Sequence, residues 1–377
     1  MTFNISDSSG LRRPLRCACM ALAVSLIGIQ GVWAQTASKT RPGNAGVVAS
    51  HELQADDTYR YASSPAAMSF AREVAERRQL DEAWTLQLVA KAERLDRAIK
   101  LVTPAPSGKA KNWAAYRDRF IEPTRIEAGK QFWLENREVL QQVEHSYGVP
   151  ASLIVGVLGV ETLYGRHTGG FRVIDALTTL AFDFPDAHPR YSERRAFFRG
   201  ELEQFLLMTS QNGLDPLAIE GSYAGAMGLP QFMPSSWRRY GVDYDHDGKV
   251  DLFNSPADIV ASVANYFRNF GWRPGVPTHY EVSVRPGKTD LQALLAPDIV
   301  PSFSPASMQK LGAGLGPQAK SHEGPLALIE LENGEDARTY YAGTDNFFAV
   351  TRYNWSSYYA MAVIELGKAV EARLPPG

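Results

Sequence analysis

The sequence predicts a mainly α-helical protein with one small β-rich insertion late in the chain. Three observations lead there. Apolar residues recur at helical spacing in blocks from Pro65 to Phe270, Gly and Pro fall between those blocks, and alternating or short apolar runs are confined to residues 278–335. At 377 residues, 45% hydrophobic and 21% charged, the chain can form two or three domains around a large core.

Residues 1–34 read as a leader. Arg12, Arg13 and Arg16 give a positive start, Cys17 to Val32 a mostly apolar run, and Val32-Trp33-Ala34 a cleavage site before Gln35. The run is short for a full membrane span, and neither cysteine follows it as a lipid-modified Cys would, so a periplasmic protein that is not a lipoprotein is expected. Cleavage removes Cys17 and Cys19, leaving no disulfide or thiol nucleophile. It also leaves 36 basic against 40 acidic residues, and this mild acidity argues against nucleic acid as a ligand.

Residues 35–60 read as a flexible tether rich in small residues. Residues 61–147 form an N-terminal helical region. Phe70, Val74, Trp84, Leu88, Leu95 and Ile99 mark one block, Pro104, Pro106 and Gly108 break it, and Tyr116 to Val143 mark a second. Residues 148–275 carry the helices 153–160, 171–181, 194–211 and 256–270, with a two-proline loop at 184–191 and a Gly- and Pro-punctuated stretch at 221–234. Residues 276–335 are the β-rich insertion, with strands around Tyr280–Val284 and Leu326–Leu331. Residues 336–377 return to helix from Trp355 to Ala372.

One helix carries a chemical anomaly. In Pro150 to Gly165, PASLIVGVLGVETLYG, Pro150 suits the first turn and Gly165 the left-handed position past the end. Gly156 and Gly159 share a face that a second helix could approach closely. Glu161 then stands at the end of this apolar segment, where burial and the negative end of the helix dipole both raise a carboxyl pKa, as a general acid needs. An ordinary helix-end glutamate paired with Arg166 also fits the helix taken alone. The stretch GSYAGAMGLPQFMPSS, Gly221 to Ser236, forms a constrained loop through which backbone can approach a ligand. Ser222, Tyr223 and Gln231 are its polar side chains, and Met227, Phe232 and Met233 its apolar contacts.

Together these motifs resemble the lysozyme-like lytic transglycosylases, and within them the membrane-bound lytic murein transglycosylase B family. The resemblance rests on Trp113 to Arg117, Tyr147 to Pro150, Gly159 to Thr162, the glycine loop, Ser262 to Tyr266 and Arg352 to Trp355, and spans roughly Pro65 to the C-terminus. It implies a lysozyme-like catalytic core formed by residues 148–275 and completed by 336–377. It implies cleavage of the β-1,4 bond between N-acetylmuramic acid and N-acetylglucosamine in peptidoglycan, leaving a 1,6-anhydromuramoyl end. Glu161 would act as acid and then as base, and the glycan would be bound by Tyr116, Ser222, Gln231, Tyr266, Tyr353 and Asn354. Two alternatives stay open: a hydrolytic muramidase, for which Asp183 or Glu220 would supply the second carboxylate, and a non-catalytic peptidoglycan-binding scaffold. Residues 186–193 depart from the family pattern as an insertion before Arg194-Arg195, which leaves open which arginine faces the substrate.

The turn DYDHDGKVDLFN follows the order of an EF-hand calcium loop. Asp243, Asp245 and Asp247 stand at positions 1, 3 and 5, Gly248 at 6, the Lys249 carbonyl at 7 and Asp251 at 9. Asn254 replaces the usual bidentate Glu at position 12, so a weak structural calcium site is expected, with no cofactor needed for chemistry. The expected partners are peptidoglycan glycan strands and other cell-wall enzymes, and the expected state is a monomer.

Overall fold

The computed structural model describes residues 59–103 and 111–375. The leader with both cysteines, nearly all of the tether and the 104–108 break lie outside them. The first helical block divides into Pro65–Arg78, Glu82–Lys91 and Asp96–Val102, and the second into Trp113–Arg117, Pro123–Glu135 and Arg137–Tyr147. Side-chain caps explain several starts. Ser64, Asp81, Asn112 and Glu122 each accept a backbone N–H of the following first turn.

The apolar helix runs Ala151–Thr162 and is buried over most of its length. It packs against the C-terminal helix, Ser357–Glu371, at two backbone contacts. A Cβ on Gly156 would meet the Val363 carbonyl oxygen, and one on Gly367 would meet the Ser152 carbonyl oxygen. A Cβ on Gly159 would run into the Tyr164 hydroxyl and Leu366. The expected close approach therefore occurs, with the last helix of the chain as the partner.

The end of this helix differs from expectation. Its C-cap is Leu163 (φ 50°), and Tyr164 (φ 55°) and Gly165 (φ 90°) continue the left-handed turn. Tyr164 N–H returns to the Leu158 carbonyl at 3.1 Å and Gly165 N–H to the Thr162 hydroxyl at 3.0 Å. These bonds hold two side-chain-bearing residues in a conformation that glycine adopts more cheaply. The turn sits immediately after Glu161.

Helices Val173–Phe182 and Tyr191–Asn212 pack together, and Pro256–Asn269 packs on Arg137–Tyr147. The insertion forms a four-stranded antiparallel sheet of His279–Ser283, Gly314–Leu315, Ala327–Asn333 and Asp336–Gly343, with His279–Ser283 between the Gly314 and Asp336 strands. It carries short helices and a small core of its own around Leu294, Met308, Leu326 and Leu328. The sheet thus reaches Gly343, beyond the expected end at residue 335. Among the described residues no single helix is long and apolar enough to cross a membrane.

The helix crossing makes a paired prediction. Gly156→Ala forces a methyl against backbone and lowers stability by at least ~1–3 kcal/mol. Gly200→Ala, on a helix face with open space, changes stability by less than about 1 kcal/mol and in the favourable direction. Thermal melts of the two variants check this. Equal melting temperatures would show that the crossing has slack.

Candidate functional site

Glu161 occupies the last turn of the apolar helix and is half-buried as a whole residue. The Tyr359 hydroxyl, from the C-terminal helix, donates to Glu161 Oε1 at 2.5 Å. Burial raises the Glu161 pKa to about 7, and the bond from Tyr359, which favours the charged form, only partly offsets it. Among the described residues Arg166 is not its partner and no acidic group contributes to the shift. Arg125 closes the helix from beneath, donating to the Gly159 carbonyl at 2.5 Å.

Tyrosines gather around this carboxyl. The Glu161 charge raises the pKa of Tyr116, Tyr266, Tyr353 and Tyr359, in each case after burial, so all four lie close to it. Tyr353 stacks on Tyr359 with ring centroids 6.1 Å apart and packs on Tyr266 at 4.8 Å. Two of the four have committed their hydroxyl protons to backbone. Tyr266 donates to the Arg352 carbonyl at 2.6 Å, and Tyr353 to the Pro230 carbonyl at 2.5 Å. Tyr266 is buried and Tyr353 half-buried. Tyr116 is pushed up to about 12 and stacks on Trp113, and among the described residues nothing hydrogen-bonds its hydroxyl.

The glycine loop is fastened to the same place. Thr162 donates to the Leu229 carbonyl at 3.0 Å, and Ser222 N–H bonds the Ala226 carbonyl at 2.8 Å. Gly225 (φ 85°) and Gly228 (φ 69°) make the turns, and Gln231 itself adopts φ 51°. Ser222 Oγ accepts from the N–H groups of Ala224 and Ala226 at 3.3 and 3.0 Å, so its own proton is free to donate. Gln231 Nε2 donates to the carbonyls of Thr168 and Gly228 at 3.1 and 3.0 Å, which leaves Oε1 as a free acceptor. Asn354 Oδ1 is buried without a hydrogen-bond partner. Met227 and Phe232 are buried inside the loop, contrary to the expected ligand contact, because the hairpin-like bonds between residues 227 and 232 turn both side chains into the core.

Neither second carboxylate considered for hydrolysis acts on Glu161. Asp183 accepts the Tyr61 hydroxyl, and Glu220 is exposed in a short strand opposite Arg172. Of the arginines after the 186–193 stretch, Arg194 is buried over Phe197 and Phe198, whereas Arg195 and Arg199 each donate to the Ala181 carbonyl at 3.3 Å.

In the acidic loop, Asp243, Asp245 and Asp258 each place a carboxylate oxygen within 4.8 Å of the others. Asp258 escaped the sequence reading because it belongs to the next helix, Pro256–Asn269, beyond the loop's usual final ligand position. Its carboxylate already accepts Tyr244 N–H at 2.7 Å and Asp251 N–H at 2.8 Å. Asp245, Asp247 and Asp251 line one hollow at the loop's surface with Asn254 and Ser255. Asp247 and Asp251 also accept loop N–H groups, from Lys249 at 2.9 Å and Phe253 at 2.8 Å. Asp243 Oδ1 is buried with no partner, an acceptor that a hard cation would satisfy. The loop touches the glycine loop directly, because Leu229 N–H bonds the Leu252 carbonyl at 3.0 Å.

The profile of the Transglycosylase SLT domain matches residues 62–368. Membrane-bound lytic murein transglycosylase B of Escherichia coli K12 is 38% identical over 322 residues, which cover 82% of this chain and 84% of that protein. The crystal structure of soluble lytic transglycosylase SltB1 from Pseudomonas aeruginosa superposes with a TM-score of 0.74 at 36% identity, covering 82% of this chain and 99% of that one. The Escherichia coli lytic transglycosylase Slt35 in complex with calcium gives a TM-score of 0.71 at 35% identity, covering 83% and 94%.

The burial of Glu161 has a thermodynamic signature. Its folded pKa lies above that of an unfolded glutamate, so the carboxyl costs nothing below the usual carboxylate range and destabilises as pH rises through about 7. Glu161→Gln therefore raises the melting temperature relative to wild type at pH 8 but not at pH 4. A difference equal at both pH values would mean that the carboxyl is solvated.

Proposed function

The chain belongs to the Transglycosylase SLT domain family and is a lytic murein transglycosylase, and on that premise we propose that Glu161 performs both proton transfers of a non-hydrolytic cleavage. The bond cut is the β-1,4 link from N-acetylmuramic acid to N-acetylglucosamine. The observation that carries this reading is a half-buried glutamate with a pKa near 7, to whose shift no acid among the described residues contributes. Such a group is protonated often enough to act as an acid and, once ionised, basic enough to recover the proton.

Protonated Glu161 gives its proton to the glycosidic oxygen as the bond to C1 of the muramoyl ring breaks. The ring's own acetamido oxygen can share the charge that develops at C1, which removes the need for a carboxylate nucleophile. The C6 hydroxyl of the same ring then bonds to C1 and yields its proton to the Glu161 carboxylate. The acid form is restored, no water is consumed, and the product carries a 1,6-anhydro bridge. Tyr359 steadies the carboxylate between the two transfers by donating to Oε1.

The remaining side chains bind and orient. The Ser222 hydroxyl is placed to donate to a sugar or acetamido oxygen. Gln231 Oε1 and Asn354 Oδ1 are placed to accept from sugar O–H or N–H groups. Tyr116 and Tyr353, both half-buried, present ring surface to the C–H faces of pyranoses, and the buried Tyr266 backs Tyr353. Asp243, Asp245 and Asp258 would hold calcium, supplemented by the neighbouring loop aspartates, and that ion would stiffen the acidic loop where it touches the glycine loop. Export to the periplasm, read from the leader, brings the enzyme to its polymer.

Mass spectrometry of digested sacculi tests the reaction. Anhydromuramoyl ends are expected from wild type, with a loss of roughly 10²–10⁴-fold in Glu161→Gln. Reducing muramic ends would instead establish a hydrolase. The same assay yields a pH limb: kcat/KM falls as pH rises above about 7. Tyr359→Phe removes a donor to the carboxylate, so it raises the Glu161 pKa and moves that limb to higher pH. A limb that stays in place in Tyr359→Phe would detach it from Glu161.

Calcium is tested by melting. At tenfold excess over a millimolar Kd the melting temperature rises by about 2 °C over the chelated protein. Asp258→Asn abolishes the rise. Identical curves for wild type with calcium and with chelator remove the ion from the account.

A further inference from the structure

The chemistry above uses nothing from the β-rich insertion, yet one strand of it reaches the proposed site. Strand Ala327–Asn333 alternates between two cores. Ala327, Ile329 and Leu331 pack into the main core, and Leu328 packs into the insertion's own. The end of this strand and the turn after it lie against helix Trp113–Arg117, which carries Tyr116. Gly334 N–H bonds the Lys111 carbonyl at 3.0 Å, and Asn333 pairs with Asn112, whose side chain caps that helix. Tyr358, at the start of the C-terminal helix, ties the same strand to the same helix. Its hydroxyl accepts Glu332 N–H at 2.7 Å and donates to the Glu332 carbonyl at 3.3 Å. Its ring meets Tyr116 and Trp113 in T-shaped contacts, with centroids 5.8 and 5.9 Å apart.

A helix of five residues does not hold itself in place, because its few backbone bonds scarcely offset the ordering of a single turn. What fixes Tyr116 is therefore what that helix rests on. Arg117 pairs with Glu365 at 2.5 Å on one side, and the strand end and Tyr358 hold the other. We propose that the insertion braces the sugar-binding wall at Tyr116, with Tyr358 as the positioning residue that connects the two. This rests on the reading of Tyr116 as a sugar contact. Trp113 stacks on the Tyr116 ring at 6.2 Å and Phe120 tilts against it at 5.2 Å, while Tyr358 closes it from the edge. Among the described residues nothing hydrogen-bonds the Tyr116 hydroxyl, so these ring contacts set its angle. A ring already held at its angle binds a sugar face with less loss of freedom.

The test is a double-mutant cycle on soluble glycan strands, with anhydro ends counted and KM separated from kcat. Tyr116→Ala is expected to raise KM about tenfold, the scale of a lost aromatic contact. Tyr358→Phe keeps the ring and removes both bonds to Glu332. It is expected to raise KM about fivefold, with kcat unchanged and the pH limb of Glu161 in place. In the Tyr116→Ala background the same change is expected to add nothing. If Tyr358→Phe melts early, Gly334→Ala carries the test. At φ 67° a side chain strains the turn, and its Cβ would stand 3.2 Å from Asn112 Nδ2, which loosens the strand end from the helix. Its rise in KM is likewise expected to vanish in Tyr116→Ala. Factors that multiply in the double variants, a loss carried by kcat, or a KM unchanged in both single variants overturn the brace. A Tyr116→Ala protein with the wild-type KM overturns instead the sugar contact on which the brace rests.

Discussion

The site depends on two helices touching backbone to backbone. Helix Ala151–Thr162 and helix Ser357–Glu371 approach so closely at Gly156 and Gly367 that neither position has space for a methyl group. This contact fixes where Tyr359 sits relative to Glu161, residues 198 positions apart in the chain. Wider spacing would lengthen the 2.5 Å bond between them and admit water to the carboxyl. Removal of that water is what raises its pKa. Packing and acidity are therefore one property here, set by glycines at the helix crossing.

The electrostatics around Glu161 turn on what its neighbours are. A cation beside it would pull the pKa down and leave it ionised, and a second carboxylate would push it up while competing for the proton. Tyrosines do neither, since burial holds their hydroxyls neutral. They surround the acid with ring surface and a single hydrogen bond, so desolvation decides the balance. The left-handed turn at Leu163 and Tyr164 belongs to the same arrangement. It directs the chain abruptly away from the carboxyl and lets Thr162 tie the helix end to the glycine loop.

Local features of this arrangement were legible in the sequence. A carboxylate after an apolar run, two glycines on one helix face, a loop rich in Gly and Pro, and alternating aspartates each reflect a constraint within a dozen or so residues. The parts that were not legible are set by contacts across the chain. Tyr359 lies in a helix whose apolar pattern gives no reason to prefer its hydroxyl over those of its neighbours. Asp258 reads as the ordinary acidic first-turn residue of a capped helix, and only folding brings it to Asp243 and Asp245. Leu163 displaced Gly165 as the cap because the tie between Thr162 and Leu229 fixes the chain direction there, overriding the local preference for glycine. The β-rich insertion extends past residue 335 for a related reason. The strand Asp336–Gly343 earns its place by pairing with both His279–Ser283 and Ala327–Asn333, and pairing partners are not written in a strand's own residues.

Hydrogen-bond accounting separates the roles of groups that composition alone would treat alike. Tyr266, Tyr353 and Tyr116 are three tyrosines near one carboxyl, yet two have given their protons to backbone carbonyls and, among the described residues, the third has not. Those two bonds run to Arg352 and Pro230, which lie in the segment before Asn354 and in the glycine loop. Each tyrosine therefore braces backbone beside the Glu161 carboxyl. Ser222 and Gln231 show the converse. Their bonds within the glycine loop use one half of each side chain and leave the other half, a donor in one and an acceptor in the other, oriented without further loss of freedom. Neutral polar groups gain little from any single contact, so donors and acceptors already held in place bind them at the least cost in freedom.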